Sequence, residues 1–257
     1  CKTIRMGVVS WTDVIATSGM ADVLLNGLGY DSKQTSAVQQ IIFAGIRDKR
    51  LDIFLGYWKP AMDNNISPFL AAKQVKVFDT PSLADAQATL AVPQYVADAG
   101  LKTFADIARF KDKLGGKIYG IEPGSGANTD IQKMIDTNHF GLGGFKLVAS
   151  GEAGMLAAVQ RAVNRKEFVV FVGWTPHPMN INMKMAYLTG SEDVFGPDEG
   201  RATVSTVTAP DFGERCPNAN RLLQNLTFTA AQESQLMVPI MERQSPQEVA
   251  RQWLRDH

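Results

Sequence analysis

Only two of the 257 residues are cysteine and three are histidine, and no sign of charge prevails: 26 Lys and Arg balance 26 Asp and Glu. Each shortage removes a class of function. A chain with no basic excess has no electrostatic footprint for nucleic acid or for an anionic membrane surface. No apolar run approaches the roughly 18–20 residues that a membrane-spanning helix needs. His139 stands beside Asn138, His177 lies between two prolines, and His257 is the final residue; none has the serine and acid spacing of a hydrolase triad. The cysteines, Cys1 and Cys216, are not in a metal-ligand pattern. Neither the triphosphate-binding nor the dinucleotide-binding glycine motif is present. The residues point to no enzyme, metal or cofactor.

The two cysteines admit three readings: a Cys1–Cys216 disulfide, lipidation of Cys1, or two unrelated thiols. Strand-like sequence begins at Thr3 and leaves little tether for a lipid, which favours the disulfide. Such a bridge implies an oxidising compartment. A chain that opens on Cys1 without Met looks like a trimmed product whose leader was an export signal.

Along the chain, short apolar runs alternate with amphipathic stretches. Strands are expected at 2–9, 30–34, 53–57, 75–79, 89–93, 117–121, 169–172, 186–188 and 202–208. Helices are expected at 17–28, 37–48, 65–73, 104–110, 129–137, 152–165, 217–226, 230–243 and 246–256. This alternation predicts an α/β fold with mainly parallel sheets. Parallel strands place ligand sites at their carboxyl ends.

Three of the four tryptophans fall at such ends. Trp11 follows Val8-Val9-Ser10, Trp58 follows Phe54-Leu55-Gly56-Tyr57, and Trp174 follows Phe171-Val172-Gly173. One indole at a strand end is ordinary packing. Three at equivalent positions suggest a cage for a cation that cannot hydrogen-bond, since the ring face attracts positive charge. Asp13, two residues past Trp11 in a strand-like stretch, would point to the same side and supply the counter-charge. Trp253 has helical spacing with Val249 and Ala250 and reads as packing.

The segment Gly120-Ile121-Glu122-Pro123-Gly124-Ser125-Gly126-Ala127-Asn128 leads from a strand into a helix. Backbone N–H groups at a helix start bind anions such as a carboxylate. An ordinary helix capped by Ser125 or Asn128 explains the same residues.

Taken together, Trp11-Thr12-Asp13, Gly56-Tyr57-Trp58, Thr89-Leu90-Ala91-Val92-Pro93, Gly120-Ile121-Glu122-Pro123-Gly124, Phe140-Gly141-Leu142 and Gly173-Trp174-Thr175-Pro176-His177-Pro178-Met179-Asn180 resemble the quaternary-amine-binding proteins of ABC importers, and their choline-binding branch most closely. The resemblance implies a two-lobed periplasmic-binding-protein fold of type II. One lobe would comprise residues 1–86 and 200–257 and the other residues 87–199. It also implies a monomer in the periplasm that closes on a small quaternary ammonium ligand, presents it to a membrane permease, and uses no cofactor. Trp11 and Trp58 would come from the first lobe and Trp174 from the second. A cysteine pair tying the chain's start to its late helices fits the same family. An enzyme or a sensor on this fold is the alternative from another class.

The chain departs from the choline-binding pattern at Ala88, where a fourth aromatic is expected. A missing ring opens space, and Ser125 and Asn128 would offer donors to a carboxylate. That combination suits a longer zwitterion such as carnitine, with choline or glycine betaine as the alternative.

Overall fold

A computed structural model describes residues 1–257. In chain order, β1 (Thr3–Val8), α1 (Thr12–Gly27), β2 (Asp31–Ser36), α2 (Gln39–Arg47), β3 (Ile53–Lys59), α3 (Asp63–Ala71) and β4 (Lys76–Val77) precede the long β5 (Leu83–Pro93). Then come α4 (Gln94–Asp98), α5 (Phe104–Ile107), β6 (Lys117–Tyr119), α6 (Gly126–Asp136), β7 (Lys146–Val148), α7 (Gly151–Arg165), β8 (Phe171–Thr175), α8 (Met179–Asn182), β9 (Met185–Tyr187) and α9 (Pro197–Gly200). The chain returns through β10 (Arg201–Thr208) and ends in α10 (Phe212–Arg215), α11 (Pro217–Asn225), α12 (Ala230–Met241) and α13 (Pro246–Asp256).

Two compact units result. The first holds Cys1–Ala86, Pro176–Pro178 and Thr203–His257; the second holds Gln87–Thr175 and Met179–Ala202. Residues 200–202 therefore group with the middle of the chain, and the Pro176–Pro178 turn with its two ends.

In the first unit β1 lies parallel to both β2 and β3, and β10 runs antiparallel to β3 and β4. β3 is apolar and buried from Ile53 to Trp58, as a central strand covered on both faces must be. β2, Asp31–Ser36, is a polar edge strand carrying a Lys33–Asp31 ion pair at 2.8 Å, and its charge discourages pairing with another chain. Phe43 and Phe54 meet edge-on at 5.8 Å between ring centres. A second cluster joins Ala16 and Met20 of α1, Leu236 and Met237 of α12, and Val249 and Ala250 of α13. Trp253 packs against that cluster, as its helical spacing implied.

In the second unit β6 lies parallel to β7 and β8, while β5 runs antiparallel to β8 and β9. Phe104 sits between Phe140 and Phe195 at 5.5 and 5.7 Å. Both sheets are mixed. The parallel pairs come from the β-α-β stretches, and the antiparallel pairs from β5 and β10, the strands on which the chain passes from one unit to the other.

Cys1 and Cys216 form a disulfide with a Cα–Cα distance of 5.2 Å across a sequence separation of 215. No helix is long and apolar enough to cross a membrane.

One boundary matters for function. α1 begins at Thr12, not Thr17. Thr12, Val14, Ile15 and Thr17 are β-branched and read as strand by propensity, but burial of Val14 and Ala16 overrides that preference. Trp58 and Trp174 likewise lie inside β3 and β8, one residue before the strand end.

Candidate functional site

In the first unit, β1 gives way to α1 at Trp11. Its backbone is extended at φ −77°, ψ 135°, and its carbonyl accepts the first helical bond from Ile15 N at 2.9 Å. Asp13 thus belongs to the first turn of a helix and not to a strand, and the two-residue periodicity expected for Trp11 and Asp13 does not apply. Its carboxylate lies where the helix dipole favours negative charge. The residue is 2% exposed.

Trp58 reaches the same point from β3. Its indole Nε1 donates to Asp13 Oδ2 at 2.9 Å in a buried hydrogen bond. Gly56 makes that approach possible. A Cβ at Gly56 would come within 2.6 Å of Val14 Cγ2 and within 2.8 Å of the Phe54 ring, so a side chain there would push α1 away from β3. At its other end Trp58 is held by its neighbours: its N–H donates to Met62 Sδ at 3.2 Å and its carbonyl accepts from Met62 N at 2.9 Å. Tyr57 donates its hydroxyl to Asp63, and burial with that carboxylate raises the phenol well above its ordinary range. The Trp11 indole N–H is buried and has no hydrogen-bond partner.

In the second unit Trp174 stands directly opposite Ala88 in the antiparallel β5–β8 pair. Residues so paired share one face of a sheet, so the smallest chiral side chain adjoins the largest ring. The turn beyond Trp174 is tied back by Asn180, whose Nδ2 donates to Trp174 O at 2.8 Å. Tyr187 donates its hydroxyl to Asn180 Oδ1 at 2.7 Å and lies 3.1 Å from Thr175 Oγ1. Burial pushes the Tyr187 phenol up to about 12. Asn180 and Tyr187 were not among the expected site residues, although Asn180 closes the Trp-Thr-Pro-His-Pro-Met-Asn turn and so carried a legible signal.

The glycine turn before α6 is the capped helix. Ser125 is the N-cap and its Oγ accepts from Asn128 N at 3.3 Å. Asn128 Oδ1 accepts from Ile121 N at 2.9 Å, and Asn128 Nδ2 donates to Ile121 O at 2.9 Å and Glu122 O at 3.0 Å. Both amide protons are therefore spent on carbonyls. Gly120 is required beside them, because a Cβ there would overlap Asn128 Oδ1.

Glu233 in the first turn of α12 is a further group that the sequence did not single out. It is 2% exposed, and burial, with Asp13 and Asp85 nearby, holds its carboxyl well above the usual carboxylate range. No group of three or more His, Cys, Asp or Glu side chains is placed to hold a metal ion.

The first unit thus holds a buried carboxylate joined to an indole, and the second an indole whose turn is braced by Asn180. Residues 2–256 match the family model described as the substrate binding domain of the ABC-type glycine betaine transport system, and the chain belongs to that family. A solved ABC-transporter choline binding protein in complex with choline is 42% identical, with a TM-score of 0.97 over 100% of this chain and 89% of that one. The same kind of protein in an unliganded semi-closed conformation has a TM-score of 0.92, with the same identity and coverage. The glycine betaine/carnitine transport binding protein GbuC of Listeria monocytogenes serotype 1/2a is 27% identical over 146 residues, which are 57% of this chain and 48% of that protein. The chain is thus the binding component of an ABC importer for a quaternary ammonium compound, with the α/β architecture of periplasmic binding proteins. Its place is the periplasm, an oxidising compartment where the disulfide persists.

Proposed function

We propose that the ligand is choline, held through its trimethylammonium group by Trp11, Trp58 and Asp13, with Trp174 as a further ring. The observation that carries this reading is the buried Trp58–Asp13 hydrogen bond. It orients an indole and keeps a negative charge beside it, the two things that a cation without hydrogen-bond donors requires. The 42% identity to a choline-binding protein over the whole chain supports the same choice. The donor set envisaged for a ligand carboxylate is thinner than the residues alone suggested, because Asn128 gives both amide protons to carbonyls. Ser125 keeps its hydroxyl hydrogen.

Carnitine is the second reading, favoured by one observation: Ala88 stands beside Trp174 where a further ring would shorten the space. Calorimetry with choline, carnitine, glycine betaine and acetylcholine separates the two. Choline binding at one per chain, tighter than carnitine by tenfold or more, is the expected outcome. Tighter carnitine binding replaces it with the second reading, and no binding of any of the four removes both. We propose further that the two units act as the lobes of the importer's binding component and deliver the ligand to a membrane permease.

A further inference from the structure

The second unit carries a cavity of about 280 Å³ at the end of its strands away from Trp174. The turn from Lys113 to Lys117, which opens β6, forms one wall. Phe168 and Val169, which lead into β8, form a second. Trp174 lies five residues past Val169, so roughly 16 Å of extended chain separates it from the cavity. The third wall is one face of α7, where Ala158, Arg161, Ala162 and Arg165 recur at helical spacing. The two alanines leave room, and the two arginines border it.

Lys113, Lys117, Arg161 and Arg165 line this cavity against a single carboxylate, Glu167. Asp112, on the same turn as Lys113, does not line it. Arg165 and Glu167 stand 3.9 Å apart and are both exposed, so their attraction is worth little and the pair is free to rearrange. Lys113, Lys117 and Arg161 have no ion pair. Lys113 is held over rings instead, with Nζ 4.9 Å from the centre of Phe168 and 6.0 Å from that of Phe110. The first unit supplies a control of equal size. Its cavity of about 280 Å³ is lined by Arg5, Lys49 and Arg215, but also by Asp52 and Asp211, and both carboxylates are paired with arginine. There the protein furnishes its own counter-charge. In the second unit a surplus of three positive charges borders one concavity, and the balanced total of the chain hides it.

We propose that this cavity is a second ligand site, which takes a phosphate monoester, free or as the headgroup of a lipid. Such a group carries about 1.5–2 negative charges at neutral pH and three terminal oxygens, so it can meet Arg161, Arg165 and a lysine at once. The planar guanidinium forks match phosphate oxygens in pairs. A carboxylate brings one charge and leaves most of the surplus unmet. Tyr119 and Phe168 give apolar surface to the organic part of the ester. The volume lies just below that of most small-molecule sites and admits a compact ester. A quaternary ammonium is repelled here. The cavity is therefore separate from Trp11, Asp13 and Trp58, whichever ligand those residues take.

The test is calorimetric titration with glycerol phosphate, with and without choline present. Glycerol phosphate should bind at one per chain, equally tightly in both conditions. Succinate, which divides its charge between two ends, should bind roughly tenfold more weakly or less. In protein carrying both Lys117→Gln and Arg161→Gln, glycerol phosphate affinity should fall roughly tenfold or more. Both side chains are exposed and unpaired, so the melting temperature and any choline affinity should stay as in the wild type. Flotation with vesicles of phosphatidylethanolamine, with and without phosphatidic acid, separates the two sources. Capture by the phosphatidic acid vesicles that is lost in the double variant assigns a lipid headgroup; glycerol phosphate binding without capture assigns a free ester. Failure of glycerol phosphate to saturate the protein, undiminished binding in the double variant, or equal binding of succinate overturns the proposal.

Discussion

Trp58 Nε1 and Asp13 Oδ2, 45 residues apart in sequence, share a buried hydrogen bond of 2.9 Å. One carboxylate therefore has two duties: it orients an indole, and it holds a negative charge at that indole's N–H edge. The two can be separated. Asp13→Asn keeps a carbonyl oxygen to accept from Trp58 and removes only the charge. Choline affinity should fall roughly ten- to hundredfold, about 1.5–3 kcal/mol, the scale of an interaction with a charged group. The melting temperature of the ligand-free protein should change little. An unchanged dissociation constant by calorimetry would assign Asp13 to structure alone.

The strand ends that carry the three indoles were legible in the sequence, and what escaped notice did so for physical reasons. Apolar runs that stop at an indole marked Trp11, Trp58 and Trp174, because a strand end is a local property. The partner of Asp13 was not legible: its meeting with Trp58 depends on how closely α1 approaches β3, a tertiary distance. The start of α1 was masked by β-branched residues whose local preference the packing of Val14 overrode. Asn128 was noticed for its donors, but the direction of an amide depends on the carbonyls around it, here those of Ile121 and Glu122. Glu233 looked ordinary because an acidic residue in a helix's first turn is expected on dipole grounds. Only its burial sets it apart.

Gly56 is the hinge of that tertiary distance. Gly56→Ala would put a methyl group against Val14 and the Phe54 ring. Overpacking of this kind costs about 1–3 kcal/mol. Because the strain falls between α1 and β3, it should also lengthen the Trp58–Asp13 bond and weaken choline binding. Denaturant unfolding and calorimetry on the same variant check both effects. A stability loss with full choline affinity would show that the bond tolerates the shift.

Asp52 gives the fold its own acid sensitivity, apart from Trp11, Asp13 and Trp58. Its side chain is 2% exposed and accepts from Arg5 Nε and Nη2 at 2.9 Å and from Arg215 Nη2 at 2.8 Å. Burial pushes its carboxyl up, but the hydrogen bonds from Arg5 and Arg215 outweigh that and hold it below the ordinary carboxylate value. A carboxyl lowered in the folded state stabilises above its unfolded value, and that contribution is lost as pH falls through the folded value. Acid unfolding should therefore steepen below about pH 4. Asp52→Asn should remove this component and lower stability at neutral pH, since two guanidinium groups lose their partner. Because Arg215 precedes Cys216 of the disulfide, the unfolding is to be followed with the bridge intact. Identical pH profiles for the two proteins would remove Asp52 as the source.

Ala88 offers the sharpest handle on ligand choice. It faces Trp174 across the β5–β8 pair, where Ala88 is matched to Trp174 and Thr89 to Gly173. A larger ring at that position would lie against the indole, on the same face of the sheet. If Trp174 contacts trimethylammonium, Ala88→Tyr adds a second aromatic surface, worth about 0.5–2 kcal/mol for a cation. It also consumes the space that a longer ligand would use. Choline should bind up to about thirtyfold more tightly, while carnitine should bind more weakly. Parallel titrations of the two ligands read the ratio directly. An equal loss for both would mean that the added ring blocks the site, and that the small residue beside Trp174 serves access and not selection.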